Sequence, residues 1–187
     1  MRAEAPGYSP SMSSRFERTA SEIVYEGRLA TVVLETFRHE DGEDAEREIV
    51  RHQGAVAIVA HDGERLFLVR QPREAVGVPD LLELPAGKLD VEDEPPLETA
   101  KRELAEEIGK AAEHWEEIAR FWASAGFTDE EVRVYLATGL SDRSAETDEH
   151  ERIEIVTRPL AELDALIDEV RDAKTLIGLL ELRRRRG

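Results

Sequence analysis

The chain has 187 residues, with 25 Lys and Arg against 42 Asp and Glu, a formal net charge of −17 and no cysteine. That length suits one domain with a small appendage and a proper core, while the acidity repels phosphate backbones and excludes a nucleic-acid polymer as the expected partner. Without cysteine there is no disulfide framework and no thiolate chemistry; without an apolar run near bilayer length, or an apolar signal core in residues 1–14, a cytoplasmic protein away from membranes is expected.

In chain order, residues 1–17 read as a flexible leader. Residues 23–25 and 29–37 are rich in β-branched and apolar side chains and predict strands. Asp41-Gly42 is a hairpin signal, and the chain returns through residues 47–50. Residues 18–52 are therefore expected to form a small antiparallel sheet, with residues 53–187 as the main domain. A second hairpin runs through residues 55–60, turns at Asp62-Gly63 and returns through 66–69. A short apolar segment, 81–84, ends at Pro85, and a loop leads to Pro95-Pro96, where proline suits the first turn of a helix. Leu97, Ala100, Leu104 and Ile108 then recur at spacings of three and four, a stripe that faces a core; Gly109 fits a C-cap. Residues 132–137 and 153–156 predict further strands, separated by an acidic loop over 141–151. Two helical stripes follow, Leu160 to Val170 and Leu176 to Leu180. The Arg183 to Arg186 run suits a solvated helix C-terminus. Irregular alternation of strands and helices predicts an α/β fold with a mixed sheet between helices.

The chemistry concentrates on the helix over 96–108. Residues three or four apart are face neighbours, so Glu103, Glu106 and Glu107 project to one side. Three carboxylates so close repel unless a cation sits among them, and a hard divalent ion is the natural guest. The five histidines show no metal-ligand spacing. Ser124 has no evident triad partners, and Trp115 and Trp122 are expected in the core.

From Gly87 through Glu94, Arg102, Glu103, Leu104, Glu106 and Glu107 to Gly109, the chain resembles the Nudix box, G-x5-E-x7-R-E-U-x-E-E-x-G-U. It departs twice: six residues separate Gly87 from Glu94, and Lys110 stands at the final apolar position. A one-residue loop insertion is cheap. The resemblance implies an α/β/α sandwich that hydrolyses a nucleoside diphosphate linked to another group. It also implies Mg2+ or Mn2+ as cofactor, Glu103, Glu106 and Glu107 as ligands, Arg102 to orient them and Glu94 to brace the loop.

Further stretches are similar to the ADP-ribose pyrophosphatase branch: Arg47-Glu48-Ile49-Val50, Gln71-Pro72-Arg73, Leu82-Glu83-Leu84-Pro85-Ala86-Gly87 and Ser124-Ala125-Gly126-Phe127. In that branch the N-terminal strands pair across a homodimer and help to bind the nucleotide. Carried over residue by residue, this makes the Ala86 carbonyl a metal ligand and Arg47, Arg73, Glu83 and Gly126 substrate contacts, with Tyr25 or Arg28 a candidate on the early strands. It also places a catalytic glutamate in the acidic loop, read as Glu149 acting as general base with Glu151 as a further metal ligand. Ala125 stands where the branch usually has proline. Competing expectations are another sugar nucleotide or a dinucleoside polyphosphate as substrate, or a non-catalytic ligand sensor; the complete set of box glutamates opposes the last.

Overall fold

The computed structural model describes residues 16–143 and 152–187, which fall into two compact units.

The first unit comprises residues up to His52 together with Gly126–Thr128. Its sheet has the order β1 (Phe16–Glu26), β2 (Thr31–His39), β3 (Asp44–Arg51), all antiparallel. Phe16 and Glu17, expected in the leader, belong to β1 because they continue its pairing, opposite His39 and Arg38. The β2–β3 turn forms where Asp41-Gly42 predicts it. Gly42 adopts φ 86°, which glycine enters without penalty, and its N–H donates to the His39 carbonyl at 2.9 Å. Every residue of β1 is exposed, including Ile23, Val24 and Tyr25. The segment Gly126–Thr128 joins this unit through the Val50 N–H, which donates to the Phe127 carbonyl at 2.8 Å.

Glu35 is a buried charge in this small sheet, 1% exposed. Arg18 and Ser21 reach one carboxylate oxygen at 3.0 and 3.2 Å, and Arg51 the other at 2.8 Å. Burial alone would raise its pKa, but the hydrogen bonds from Arg51 and Arg18 outweigh that and hold it below the usual value.

The second unit is an α/β/α sandwich. Its strands are β4 (Ala55–His61), β5 (Arg65–Arg73), β6 (Val78–Glu83), β7 (Ala86–Lys88), β8 (Lys110–Trp122), β9 (Glu131–Asp142) and β10 (Glu154–Pro159). The main path is β10-β5-β4-β9-β8, with β6 on β5 and β7 on β4. Among the described strands of this sheet only β4 and β9 run parallel, so the sheet is mixed as expected. Helix α1 (Pro96–Ile108) lies on one face, and α2 (Leu163–Glu169) and α3 (Ala173–Arg186) on the other. Central β4 shows why its sequence is a continuous apolar run: Val56, Ile58 and Ala60 pack with Leu104 and Ile108 of α1, while Ala57 and Val59 pack with Leu179 and Leu182 of α3.

Two expectations need correction. Residues 110–122 predict no element, yet they form β8, paired along its length with β9. Its bulge between Glu117 and Ala119 breaks the alternation that marks a strand in sequence. Trp122, expected in the core, ends that ladder opposite Glu131 and is 55% exposed; Trp115 is half-buried, edge-on to Tyr135. Of the Arg183 to Arg186 run, the first three pair with Asp164, Glu181 and Glu116 respectively, as a solvated helix end would.

Candidate active site

The site is a helix docked on a turn. Pro95 and Pro96 open α1, and Gly109 closes it at φ 65°, its N–H reaching the carbonyls of Ala105 and Leu104. The apolar stripe Ala100, Leu104 and Ile108 buries against the sheet, and this fixes the rotation of the carboxylates beside it. Glu107, 7% exposed, accepts the Ala86 N–H at 2.9 Å. Glu103 sits over Gly87: a Cβ built there would lie 2.1 Å from the Glu103 carboxyl carbon. Glycine at 87 is thus what lets a carboxylate lie against the turn backbone.

Arg102 ties the acidic side chains together. One terminal nitrogen, Nη1, donates to Glu103 at 2.7 Å and Glu106 at 2.9 Å. Nε and Nη2 reach the two Glu94 oxygens at 3.4 and 3.2 Å. Burial works against the Arg102 charge, but Glu94, Glu103 and Glu106 outweigh it and raise its pKa. Glu94 in turn accepts the Thr99 hydroxyl at 2.8 Å, and Arg102 foremost lowers its pKa. The loop before it closes with the Glu94 N–H on the Val91 carbonyl and Asp93 at φ 60°, a conformation Asp tolerates. The loop that is one residue longer than the box therefore still delivers Glu94 to Arg102. Lys110, the second departure, sets its ammonium over Phe67, with Nζ 5.4 Å from the ring centroid and paired to Asp142. A cation within about 6 Å of an aromatic face is attracted to the ring, so the lysine is accommodated there.

A second ionic group enters the same turn from below. Glu83 is fully buried. Arg73 grips it with two bonds, 2.6 and 2.8 Å, and Lys174 binds the second oxygen. Burial would raise the Glu83 pKa, but Arg73 and Lys174 outweigh it and lower it; the Glu83 bond in turn raises that of Arg73. Glu83, expected at the substrate, thus faces its two cations, whereas Arg73 keeps a side chain 40% exposed.

Ala86, Glu103, Glu106, Glu107 and Arg102 are therefore brought together. Tyr25, Arg47 and Gly126 belong to the first unit, all exposed, with the Arg47 guanidinium on the Glu46 carbonyl at 2.8 Å. Glu149 and Glu151 lie outside the described residues. Among the described residues, no group of three acidic or histidine side chains forms a ready-made cation cage; Arg102 bridges Glu103 and Glu106 instead. The donor chemistry nevertheless fits a hard ion, since every candidate ligand is oxygen and Gly87 leaves room for Glu103. Thr99, Asp172, Lys174 and Thr175 are site-building residues that sequence reasoning misses. Asp172 is legible as a helix N-cap, but nothing local places its helix beside a turn 91 residues earlier. No described helix is long and apolar enough to cross a membrane.

The NUDIX domain family matches residues 50–178. An ADP-ribose pyrophosphatase of Mycobacterium tuberculosis is 42% identical over 79% of this chain and 72% of its own length. Another, from Bacillus subtilis, is 38% identical over 90% of this chain and 93% of its own. A methanol dehydrogenase activator of Bacillus methanolicus is 37% identical over 85% and 88%. The crystal structure of an ADP compounds hydrolase superposes with a TM-score of 0.81 at 24% identity, covering 95% of this chain and 96% of that one. With the box helix, its Ala86-Gly87 turn and the sandwich all in place, the chain belongs to the Nudix family.

Proposed function

We propose that this Nudix hydrolase splits the diphosphate of ADP-ribose, or a closely related nucleoside diphosphate sugar, into AMP and ribose 5-phosphate. The observation that carries the chemistry is the seating of Glu103 on Gly87 with Glu107 bonded to the Ala86 amide. The substrate class is supported by the two ADP-ribose pyrophosphatases that match most of the chain.

In this reading the Ala86 carbonyl, Glu103, Glu106 and Glu107, joined by Glu151, hold Mg2+ or Mn2+. The bound ions supply charge neutralisation on the diphosphate and lower the pKa of water. Arg102 holds Glu103 and Glu106 on one side of the helix. The Ala86 amide holds Glu107 against the turn. Arg73, braced by Glu83, offers its exposed edge to a phosphate or sugar oxygen. Glu149 takes a proton from water as its oxygen attacks one phosphorus. The bridging P–O bond breaks, and the bridging oxygen leaves with the other phosphate. Proton transfer of this kind is worth about 10²–10⁴-fold.

Arg47, Tyr25 and Gly126 are proposed nucleotide contacts of the first unit. The exposed apolar side chains of edge strand β1 support pairing with a second copy of the chain. The Bacillus methanolicus relative's name points to action on a partner enzyme; the complete carboxylate set favours catalysis here. The test is release of AMP from ADP-ribose with Mg2+, compared with other sugar nucleotides and dinucleoside polyphosphates. Turnover of ADP-ribose ahead of the panel is expected, and no turnover of any member sinks the enzyme reading.

A further inference from the structure

We propose that the start of the C-terminal helix α3 is a clamp that positions the metal-binding turn, with Thr175 as its central positioning residue. The proposal rests on the hydrolase reading for its catalytic consequence, but the clamp itself is defined by bonds within this chain.

Two consecutive residues entering the turn are held by two consecutive residues of α3. Lys174 binds the buried Glu83 carboxylate, and the Thr175 hydroxyl accepts the Leu84 N–H at 2.9 Å. Both α3 residues are held by Asp172, the helix N-cap. It accepts the Thr175 N–H at 3.0 Å and the Thr175 hydroxyl at 2.6 Å, and pairs with Lys174 at 3.0 Å. The Thr175 hydroxyl is thus used in both directions, donating to Asp172 and accepting from Leu84. Thr175 is fully buried, so water cannot replace it.

The turn runs between two ladders, β6 on β5 up to Glu83 and β7 on β4 from Ala86. Pro85 has no N–H to give, and its carbonyl accepts from Ile58 at 2.8 Å. The next amide, Ala86, goes to Glu107. Within that frame Thr175 binds the amide before Pro85 and Glu107 the amide after it. Gly178 allows the helix to come this close: a Cβ there would lie 2.7 Å from Leu84 and 2.9 Å from Val59. Tertiary packing alone would hold α3 against the sheet; a buried hydroxyl bonded to a backbone amide of the turn adds direction to that contact.

Thr175→Val keeps the volume and removes the hydroxyl, and Thr175→Ser restores it. The variants are compared in the full chain, with Mn2+ alone as probe, by the free-ion electron paramagnetic resonance signal. Partners that orient ligands typically contribute about 10–100-fold to metal affinity, so Thr175→Val is expected to weaken Mn2+ binding by about that factor. Thr175→Ser is expected to stay close to wild type. In the metal-free protein, hydrogen exchange at the Leu84 and Ala86 amides is expected to quicken in the valine variant alone. On ADP-ribose, kcat is expected to fall with little change in KM. Unchanged Mn2+ affinity in folded Thr175→Val overturns the proposal, as does a serine variant as impaired as valine. Should valine not fold, Thr175→Ala carries the same comparison. If the wild type binds Mn2+ but leaves ADP-ribose intact, the hydrolase reading fails while the clamp is still judged by Mn2+ and exchange.

Discussion

Gly87→Ala isolates the geometry of the site from the stability of the fold. Gly87 does not occupy the left-handed region, so alanine meets no backbone strain there. The three atoms nearest the added methyl all belong to Glu103: its carboxyl carbon, one oxygen and Cγ, at 2.1, 2.2 and 2.3 Å. Ordinary carbon–carbon contact is about 3.5 Å, so the carboxylate must retreat by about 1.4 Å. For folding this is cheap. Glu103 swings on a flexible stem, its bond to Arg102 is partly exposed and worth at most about 1 kcal/mol, and Gly→Ala restricts the unfolded chain. For catalysis it is costly, because a misplacement of about 1 Å can forfeit ~10² in rate, or about 2.7 kcal/mol of transition-state stabilisation. The assay pairs kcat on ADP-ribose with a thermal melt. A loss of about a hundredfold is expected with Tm moved by no more than about 4 °C. A variant that keeps more than about a third of wild-type kcat refutes the claim that Gly87 exists to seat Glu103. So does one whose lost activity merely tracks unfolding.

Arg102→Lys keeps the charge but loses the planar fork that holds Glu94, Glu103 and Glu106 together; steady-state kinetics are expected to show about a 10–100-fold fall in kcat, and a change within threefold contradicts the orienting role. Glu35 has a folded pKa below its unfolded value of about 4.3, so its stabilisation is present above that pH and is lost as pH falls through the folded value. Glu35→Gln is therefore expected to cost about 1–3 kcal/mol at pH 7 in urea melts, with the gap to wild type closing below about pH 4; a gap that stays constant with pH refutes the ion-pair account. In the acidic loop, Glu149→Gln is expected to lower kcat by about 10²–10⁴-fold and Glu151→Gln to weaken metal dependence; near-full rate in the first with loss in the second reverses the two roles.

What the sequence discloses about this chain depends on the span over which each cause acts. Helix α1 and its limits are legible because their causes are local: proline at the start, a stripe at spacings of three and four, and glycine at φ 65°. The β2–β3 turn at Gly42 is legible for the same reason. Strand β8 is not, because its bulge and its half-exposed face erase the period-two signal. The Nudix box locates Gly87 and Glu103 by spacing, yet spacing does not say that one lies on the other; that follows only when α1 docks beside β7. Lys110 reads as a flaw in the box until Phe67 is seen beneath it.

The same division separates the two ends of Pro85. On one side the Ala86 amide is tied to Glu107, 21 residues along the chain, from a residue bordering the box to one of its glutamates, a pattern that sequence can carry. On the other the Leu84 amide is tied to Thr175 across 91 residues, with α3 packed on Leu84 where a Cβ at Gly178 would lie 2.7 Å from its side chain. If α3 clamps the turn as proposed, loosening α3 reaches the Ala86 carbonyl through the Leu84 amide, against the restraint of the β6 and β7 ladders. Substitutions in α3 that never touch substrate should then act on metal affinity before they act on the melting temperature, provided they disturb Thr175 rather than the solvated arginines at the far end of the helix.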